Sequence, residues 1–316
     1  MTEVPSGTLS TAEKFVDPDW TAGGDRRARV ELDTLATLWF NTGTLCNLSC
    51  TNCYIESTPT NDRLVYLSLD DVLVYLDEIE REGLGTKEIG LTGGEPFMNP
   101  EILPIMDACL SRGFELLVLT NAMRPMMRHS EELLRLKHRF GDSLTLRVSV
   151  DHFTRELHED ERGAKTWEPM MVGLKWLAEN GFHFDIAART RWGDSEHELR
   201  EGFGALFDRI GISFDATDRK RLVLFPEMDP HAEVPEITTA CWGILGVDPT
   251  DIMCASSRMV VRHKGADRPS VQACTLLAYD PRFNMGETLQ DASKEVALNH
   301  RFCATFCVLG GGSCSI

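Results

Sequence analysis

The segment Cys46-Asn-Leu-Ser-Cys50-Thr-Asn-Cys53-Tyr54 decides the fold, and it lies five residues after an apolar stretch at residues 36–40. Three thiolates this close together in a loop can converge on one metal centre. Three ligands are one fewer than a closed zinc site or a fully protein-ligated cubane iron–sulfur cluster uses. A cubane held in this way leaves one iron open to a ligand that is not protein. The alternative is a zinc knuckle that takes its fourth ligand from elsewhere in the chain.

The rest of the composition is that of a large, acidic, folded protein. The chain has 316 residues, of which 42% are hydrophobic, and its formal net charge is -17. Such a surface repels phosphate backbones and anionic lipid headgroups, so we expect neither nucleic acid nor a membrane as partner. No run approaches the ~18 apolar residues of a membrane span, and the N-terminus lacks the pattern of a secretory signal. We therefore expect a cytoplasmic protein.

The ten cysteines need an explanation other than disulfides, because cytoplasmic thiols stay reduced. Cys109 stands alone in the apolar segment ILPIMDACL, where we expect a buried small hydrophobe. The other nine form one cluster near each end of the chain: Cys46, Cys50 and Cys53, and then Cys241, Cys254, Cys274, Cys303, Cys307 and Cys314.

Short apolar runs alternate with helical patterns through the middle of the chain. The candidate strands are residues 36–40, 88–91, 115–120, 145–150, 184–188 and 222–225. The candidate helices are residues 69 to about 83, 101–112, 130–140, 167–179 and 195–209. This alternation predicts an α/β fold with a parallel sheet and helices outside, either open or curled into a partial barrel. Active sites in such folds lie at the C-terminal ends of the strands.

Composition also predicts the division of the chain. Residues 1–33 are polar and aperiodic, which is typical of a flexible arm or a strap across the surface. The strand–helix rhythm fills residues 34–230 and breaks at the proline-rich, acidic segment PEMDPHAEVPEITTA. Residues 231–316 then form a small cysteine-rich C-terminal domain.

Polar motifs follow three of the candidate strands. In Leu91-Thr-Gly-Gly-Glu95-Pro96, two glycines permit a close backbone approach, and the carboxylate can accept hydrogen bonds from an ammonium group. Asn121 ends the third strand, and the segment Ser149-Val-Asp151 ends the fourth. Arg162 follows shortly afterwards, and a guanidinium pairs well with a carboxylate. The alternatives are ordinary turn residues and, for Arg162, a salt bridge to the neighbouring acidic residues.

Taken together, the C-x3-C-x2-C loop and these motifs resemble the radical S-adenosylmethionine (SAM) superfamily. The resemblance covers roughly residues 35–230 and implies a partial (β/α)6 barrel. It implies that Cys46, Cys50 and Cys53 hold a [4Fe–4S] cluster whose open iron chelates the methionyl group of S-adenosylmethionine (AdoMet). Reductive cleavage of AdoMet there would yield a 5′-deoxyadenosyl radical.

The resemblance also implies roles for the strand-end residues. Glu95 would bind the methionyl amine, Ser149 the ribose, and Arg162 the methionyl carboxylate. The residue before the third cysteine is often aromatic in the family and is Asn52 here, so we expect Tyr54 to cover the adenine edge instead. The complete predicted AdoMet site comprises Tyr54, Gly93, Gly94, Glu95, Asn121, Ser149, Asp151 and Arg162.

The C-terminal cysteines suggest a second metal centre. Cys254 and Cys274 flank a predicted hairpin, and Cys303, Cys307 and Cys314 follow in a glycine-rich tail. This arrangement resembles the SPASM and Twitch extensions of radical SAM enzymes. The resemblance implies one auxiliary [4Fe–4S] cluster that uses four of these five thiols, with Cys241 as a possible sixth candidate. Structural zinc is the alternative.

These features predict a radical enzyme that abstracts hydrogen from its substrate and passes an electron to the auxiliary cluster. The net reaction would be an oxidation or a bond formation, with Glu227 or Asp229 as proton acceptor and a flavodoxin- or ferredoxin-type protein as reductant. Only about thirty residues precede the predicted barrel, which favours a small-molecule substrate over a peptide. The alternatives are a peptide or protein maturase, an iron–sulfur electron carrier and a zinc-stabilised interaction protein.

Overall fold

The computed structural model of the protein describes residues 13–229 and 231–312. Within these residues, nine strands form one sheet in the order β10-β9-β8-β2-β3-β4-β5-β6-β7, and β1 pairs with β11. In chain order the strands are β1 (Arg29–Val30), β2 (Thr37–Asn41), β3 (Glu88–Thr92), β4 (Glu115–Thr120), β5 (Leu144–Ser149), β6 (His183–Arg189), β7 (Leu222–Phe225), β8 (Ser257–Val261), β9 (Ser270–Gln272), β10 (Asn284–Gly286) and β11 (Val296–Ala297).

Strands β2 to β7 are parallel and lie side by side in chain order, which confirms the predicted α/β fold with a partial (β/α)6 barrel. All six coincide with the candidate strands to within two residues. The apolar residues of β2 to β6 are mostly buried, as is usual for parallel strands covered by helices, whereas those of β7 after Leu222 are half-buried. Because the strands run in one direction, the residues that follow them meet at one end of the barrel.

The helices cover the outside of these strands. In chain order they are α1 (Leu69–Glu82), α2 (Ile102–Ser111), α3 (Arg124–Met127), α4 (Ser130–Phe140), α5 (Arg155–Arg162), α6 (Trp167–Glu179), α7 (Glu196–Ile210) and α8 (Cys241–Leu245), followed by a π-helix at Cys303–Val308. Helix α1 begins at a capping box between Ser68 and Asp71 and ends at Gly83 in the left-handed conformation. The main apolar core lies between these helices and the sheet, and Cys109 is fully buried in it, as predicted.

The cysteine-rich region continues the barrel sheet. Strands β8 and β9 form the predicted antiparallel hairpin, with Cys254 shortly before it and Cys274 shortly after it. Strand β8 also pairs in parallel with β2, which the sequence pattern does not reveal. The hairpin therefore lies against the strand that leads into the first cysteine loop. The division at residue 231 stays a prediction.

The described part of the N-terminal segment packs on the C-terminal region. Strand β1 pairs with β11, and Arg27 is buried. The Arg27 guanidinium binds the Glu236 carboxylate and donates 3.2 Å to the backbone oxygen of Leu298. Residues 13–33 thus run as a strap across the segments that lead to the last cysteines. No helix within the described ranges has the length and apolar character needed to cross a membrane.

Candidate active site

A cavity of about 1130 Å³, including its part open to solvent, lies at the C-terminal ends of the barrel strands. The cysteine loop after β2 and the ends of β3 to β7 all contribute to it. Its lining includes most of the predicted site residues: Cys46, Cys50, Cys53, Tyr54, Gly93, Gly94, Asn121, Ser149, Asp151 and Arg162. The fold therefore brings together side chains that are far apart in the sequence.

The three cysteines after β2 share this cavity and are largely shielded from water. The backbone N–H of Leu48 donates to Sγ of Cys46 at 3.4 Å, and that of Ser57 donates to Sγ of Cys53 at 3.3 Å. Burial raises the pKa of Cys46 to about 12 and also raises the pKa of Cys50. Such thiols ionise when a positive charge such as a metal arrives, and N–H groups directed at sulfur then stabilise the thiolate.

Gly93 and Gly94 lie against the cysteine loop. A Cβ atom on Gly93 would come within 2.5 Å of the backbone oxygen of Gly43, and one on Gly94 within 2.3 Å of that of Leu45. Gly93 also has a φ of 143°, which side chains rarely adopt. The glycines are therefore required for the approach of two protein segments, and both also line the cavity.

The Glu95 carboxylate is buried just behind the cavity lining. It accepts 2.9 Å hydrogen bonds from the Thr120 hydroxyl and the Asn121 backbone N–H. Burial raises the pKa of Glu95 to about 7, and these hydrogen bonds oppose the shift. Thr120, which the sequence left unassigned, thus orients the predicted amine-binding carboxylate.

Arg162 and Arg189 converge on the buried Asp151. Arg162 binds the Asp151 carboxylate with its Nε atom, and Nε of Arg189 donates to the same carboxylate at 3.2 Å. Burial alone would raise the pKa of Asp151, but the two guanidiniums outweigh it and lower the pKa. Arg162 therefore forms an ion pair with Asp151, which follows β5, and not with the acidic residues that precede it in the sequence. Its positive charge also acts on Cys46 and Cys50.

Glu161 fixes the backbone between the second and third cysteines. Its carboxylate accepts 3.0 Å and 3.2 Å hydrogen bonds from the backbone and side-chain amides of Asn52. Nη1 of Arg191 donates to Glu161 at 2.7 Å, and Nη2 of Arg189 donates to the Asn52 backbone oxygen at 3.2 Å. Asn52, where the family often has an aromatic residue, therefore anchors the loop. The acidic run that contains Glu161 gives no signal of this role.

The two predicted proton acceptors lie outside the cavity lining. Glu227 lies with one carboxylate oxygen 3.9 Å from Nη1 of Arg189. Asp229 is exposed and accepts a 2.7 Å hydrogen bond from the His231 backbone N–H. Proton transfer by either residue stays a prediction.

A second, smaller cavity of about 360 Å³, including its part open to solvent, lies in the C-terminal region. Its lining contains four cysteines, namely Cys254, Cys274, Cys303 and Cys307. Burial raises the pKa of Cys254 to about 11 and that of Cys303 to about 12. The Leu276 backbone N–H donates to Sγ of Cys274 at 3.3 Å. Four thiols around one apolar space are a suitable ligand set for a cubane.

The other two candidate ligands of this centre are Cys241 and Cys314. Cys241 is not among the cavity-lining residues, and its Sγ accepts a 3.4 Å hydrogen bond from the Thr238 backbone N–H. Cys314 lies outside the described residues.

In both cysteine sets the side chains line a cavity and do not converge on the position of a single ion. Within residues 13–229 and 231–312, no three His, Cys, Asp or Glu side chains are close enough to hold a single metal ion. A four-iron cluster occupies more room than one ion and keeps its thiolates further apart. The buried thiols and the N–H groups directed at their sulfurs therefore fit a cluster in each cavity.

Comparison with known proteins agrees with this description. The family model of the radical SAM superfamily matches residues 40–190. The antilisterial bacteriocin subtilosin biosynthesis protein AlbA of Bacillus subtilis is 31% identical over 143 residues, which cover 45% of this chain and 30% of AlbA. The AdoMet-dependent heme synthase of Methanosarcina barkeri is 28% identical over 145 residues, which cover 45% of this chain and 38% of that protein.

The fold is also similar to that of a solved protein, native anSMEcpe with bound AdoMet. That structure has a TM-score of 0.58 and 14% sequence identity, and the match covers 84% of this chain and 82% of that one. The chain spans less than half the length of the curated relatives it matches. Residues 40–190 therefore match the radical SAM superfamily, whose members are enzymes, and the cysteine-rich C-terminal region resembles the SPASM and Twitch extensions of that superfamily.

Proposed function

We propose that this protein is a radical SAM enzyme that binds AdoMet at a [4Fe–4S] cluster held by Cys46, Cys50 and Cys53. The observation that carries the proposal is that these three thiols open into the same cavity as Gly93, Gly94 and Arg162, with the Glu95 carboxylate buried directly behind its lining. An electron carrier needs no pocket for an amino-acid group, so this arrangement favours an enzyme. When bound, the cluster and AdoMet would supply a 5′-deoxyadenosyl radical that abstracts a hydrogen atom.

The chain's own residues would position the cofactor. Gly93 and Gly94 hold the strand end against the cysteine loop, and Glu161 fixes that loop through Asn52. Glu95 and Arg162 supply opposite charges at two sides of the methionyl group. Ser149, Asn121 and Tyr54 line the remaining space, where the nucleoside would lie.

Replacing either charged group should weaken AdoMet binding about tenfold or more. Charge-assisted hydrogen bonds of this kind contribute roughly 1.5–3 kcal/mol each. Glu95→Gln keeps the shape of the buried side chain, and Arg162→Lys keeps a charge beside Asp151 while it removes the guanidinium fork. Equilibrium dialysis of the reconstituted variants against labelled AdoMet measures the effect.

The matched control for this experiment is Arg135→Ala, because Arg135 is an exposed arginine on α4 that forms ion pairs with Glu131 and Glu132, outside the cavity. Its AdoMet affinity should equal that of the wild type. Unchanged affinity in both Glu95→Gln and Arg162→Lys would remove these residues from the AdoMet site.

For the second cavity we propose an auxiliary [4Fe–4S] cluster held by Cys254, Cys274, Cys303 and Cys307. The support is that all four thiols line one buried space. The cluster would accept the electron that hydrogen abstraction leaves on the substrate, which makes a net oxidation or a bond formation the expected outcome. Glu227 or Asp229 would accept the accompanying proton, and a flavodoxin- or ferredoxin-type protein in the cytoplasm would reduce the first cluster.

A small molecule is one candidate substrate class. The second candidate is a ribosomally made peptide, which the similarity to a bacteriocin biosynthesis protein favours. Screening metabolites and precursor peptides for stimulated formation of 5′-deoxyadenosine distinguishes the two.

Anaerobic reconstitution tests the proposal as a whole. We expect about eight irons per chain, as two cubanes require, and formation of 5′-deoxyadenosine from AdoMet under dithionite. Protein that takes up zinc alone, or that holds iron yet never cleaves AdoMet, would contradict the proposed function.

A further inference from the structure

The two cysteine cavities are separated by a thin apolar wall. Leu276 lines both of them, since it belongs to the lining of the active-site cavity and also to that of the smaller one. Phe306, which directly precedes Cys307 in the π-helix, faces the active-site cavity. The Leu276 side chain thus contacts both cavities.

The last barrel strand and the C-terminal region build this wall together. The ring of Phe306 stacks on that of Phe225, the last residue of β7, with centroids 5.6 Å apart and an interplanar angle of 25°. A Cβ atom on Gly310 would come within 2.3 Å of the Thr305 backbone oxygen and 2.9 Å of the Pro226 ring, so only a glycine permits this packing. The Gly312 backbone N–H donates to the Phe306 oxygen at 2.8 Å. Contacts from the end of β7 and from the segment after the π-helix therefore fix the position of Phe306.

Charged side chains that line the active-site cavity form ion pairs with other protein groups. Arg162 and Arg189 both bind Asp151, and Nη2 of Arg147 lies 3.6 Å from Oδ2 of Asp185. The wall itself consists of Phe225, Pro226, Met228, Leu276 and Phe306, with no charged side chain among them. A charged group placed against it would lose its water without gaining a partner, which is unfavourable.

From this arrangement we infer that the substrate presents an uncharged hydrocarbon group to the wall formed by Phe225, Pro226, Met228, Leu276 and Phe306. The inference rests on the proposed function and specifies the substrate class of the same site. The carbon that loses hydrogen belongs to this group or adjoins it. At this wall that carbon would be separated from the second cavity by a single residue, Leu276.

Matched probes test the preference without knowledge of the natural substrate. N-acetyl-leucine amide and N-acetyl-aspartate amide have side chains of the same branching and differ in charge. Equilibrium dialysis of the reconstituted protein with AdoMet should show at least about tenfold tighter binding of the leucine probe, because its burial gains apolar contact without stranding a charge. A pentapeptide with a central leucine between alanines tests whether the group is taken from a peptide or from a small molecule.

Deuterium transfer is the second readout. With side-chain-deuterated probes, a C–D bond of the leucine probe breaks, and deuterium with one electron passes to the 5′ carbon and forms a C–D bond in 5′-deoxyadenosine. Dithionite and water supply the electron and proton that quench the remaining probe radical. Label should appear in 5′-deoxyadenosine from a leucine probe, free or in the peptide, and not from the aspartate probe.

Leu276→Asp should lower the affinity for the leucine probe at least about tenfold. Leu309→Asp is the matched control, because Leu309 is 48% exposed and does not line the cavity. If Leu276→Asp loses its tail iron, Met228→Asp, another substitution in the wall, replaces it in this test.

Equal or tighter binding of the aspartate probe would overturn the inference, and so would label from that probe alone or no label from any leucine probe while 5′-deoxyadenosine forms. Unchanged leucine-probe affinity in the wall variant would overturn it as well. Complete absence of 5′-deoxyadenosine would instead contradict the proposed function, and the dialysis results would still report on the wall.

Discussion

Replacing Cys46, Cys50 and Cys53 together with alanine should abolish formation of 5′-deoxyadenosine and leave about four irons per chain, those of the C-terminal region. The three thiols line the active-site cavity, and the four C-terminal thiols line a different one. Loss of the first set therefore removes the ligands of one cluster without touching those of the other. Iron analysis and product analysis after anaerobic reconstitution measure both effects.

Cys241→Ala provides the control for this variant. Cys241 is partly buried like Cys50 and Cys53, but neither cavity has it in its lining. Its removal should leave both the iron content and the cleavage of AdoMet unchanged. If the triple variant still forms 5′-deoxyadenosine under dithionite, the first cluster is assigned to the wrong residues.

The sequence predicts the barrel well because most of its strands are short apolar runs that are largely buried. It misses α5, whose segment Arg-Glu-Leu-His-Glu-Asp-Glu-Arg has too few apolar residues to show a helical period. That helix carries Glu161 and Arg162, so the omission also hides the anchor of the cysteine loop. The spacing of apolar residues reveals a helix only when one face of the helix is buried. A charged helix with few apolar residues has no such spacing.

The sequence predicts those parts of the site whose residues lie in one short motif. It does not predict the parts that form where distant segments of the chain meet. The three cysteines after β2 follow from their spacing alone. The wall between the cavities depends on Leu276 and Phe306 reaching Phe225, and no local pattern encodes the parallel pairing of β8 with β2 that brings the C-terminal region to the barrel. The sequence likewise offered five candidate ligands for the auxiliary cluster without a means to choose four.

The largest effect expected in the C-terminal region follows from that choice. Replacing Cys254, Cys274, Cys303 and Cys307 with alanine should reduce the iron content from about eight to about four per chain. Cleavage of AdoMet should continue, because the first cluster keeps its three thiols, whereas formation of product should stop, because the substrate radical loses its electron acceptor. Iron analysis measures the first effect, and the ratio of 5′-deoxyadenosine to product measures the second.

Cys314→Ala separates the four cavity thiols from the fifth candidate. Four thiols already complete the ligand set of a cubane, so this variant should keep about eight irons and its product yield. Loss of tail iron in Cys314→Ala would instead make Cys314 a ligand and exclude one of the four. A C-terminal region that binds one zinc and no iron, measured after the first three cysteines have been replaced, would make this region structural. The oxidation would then lack its electron acceptor, and the role of Leu276 between the two cavities would have to be purely steric.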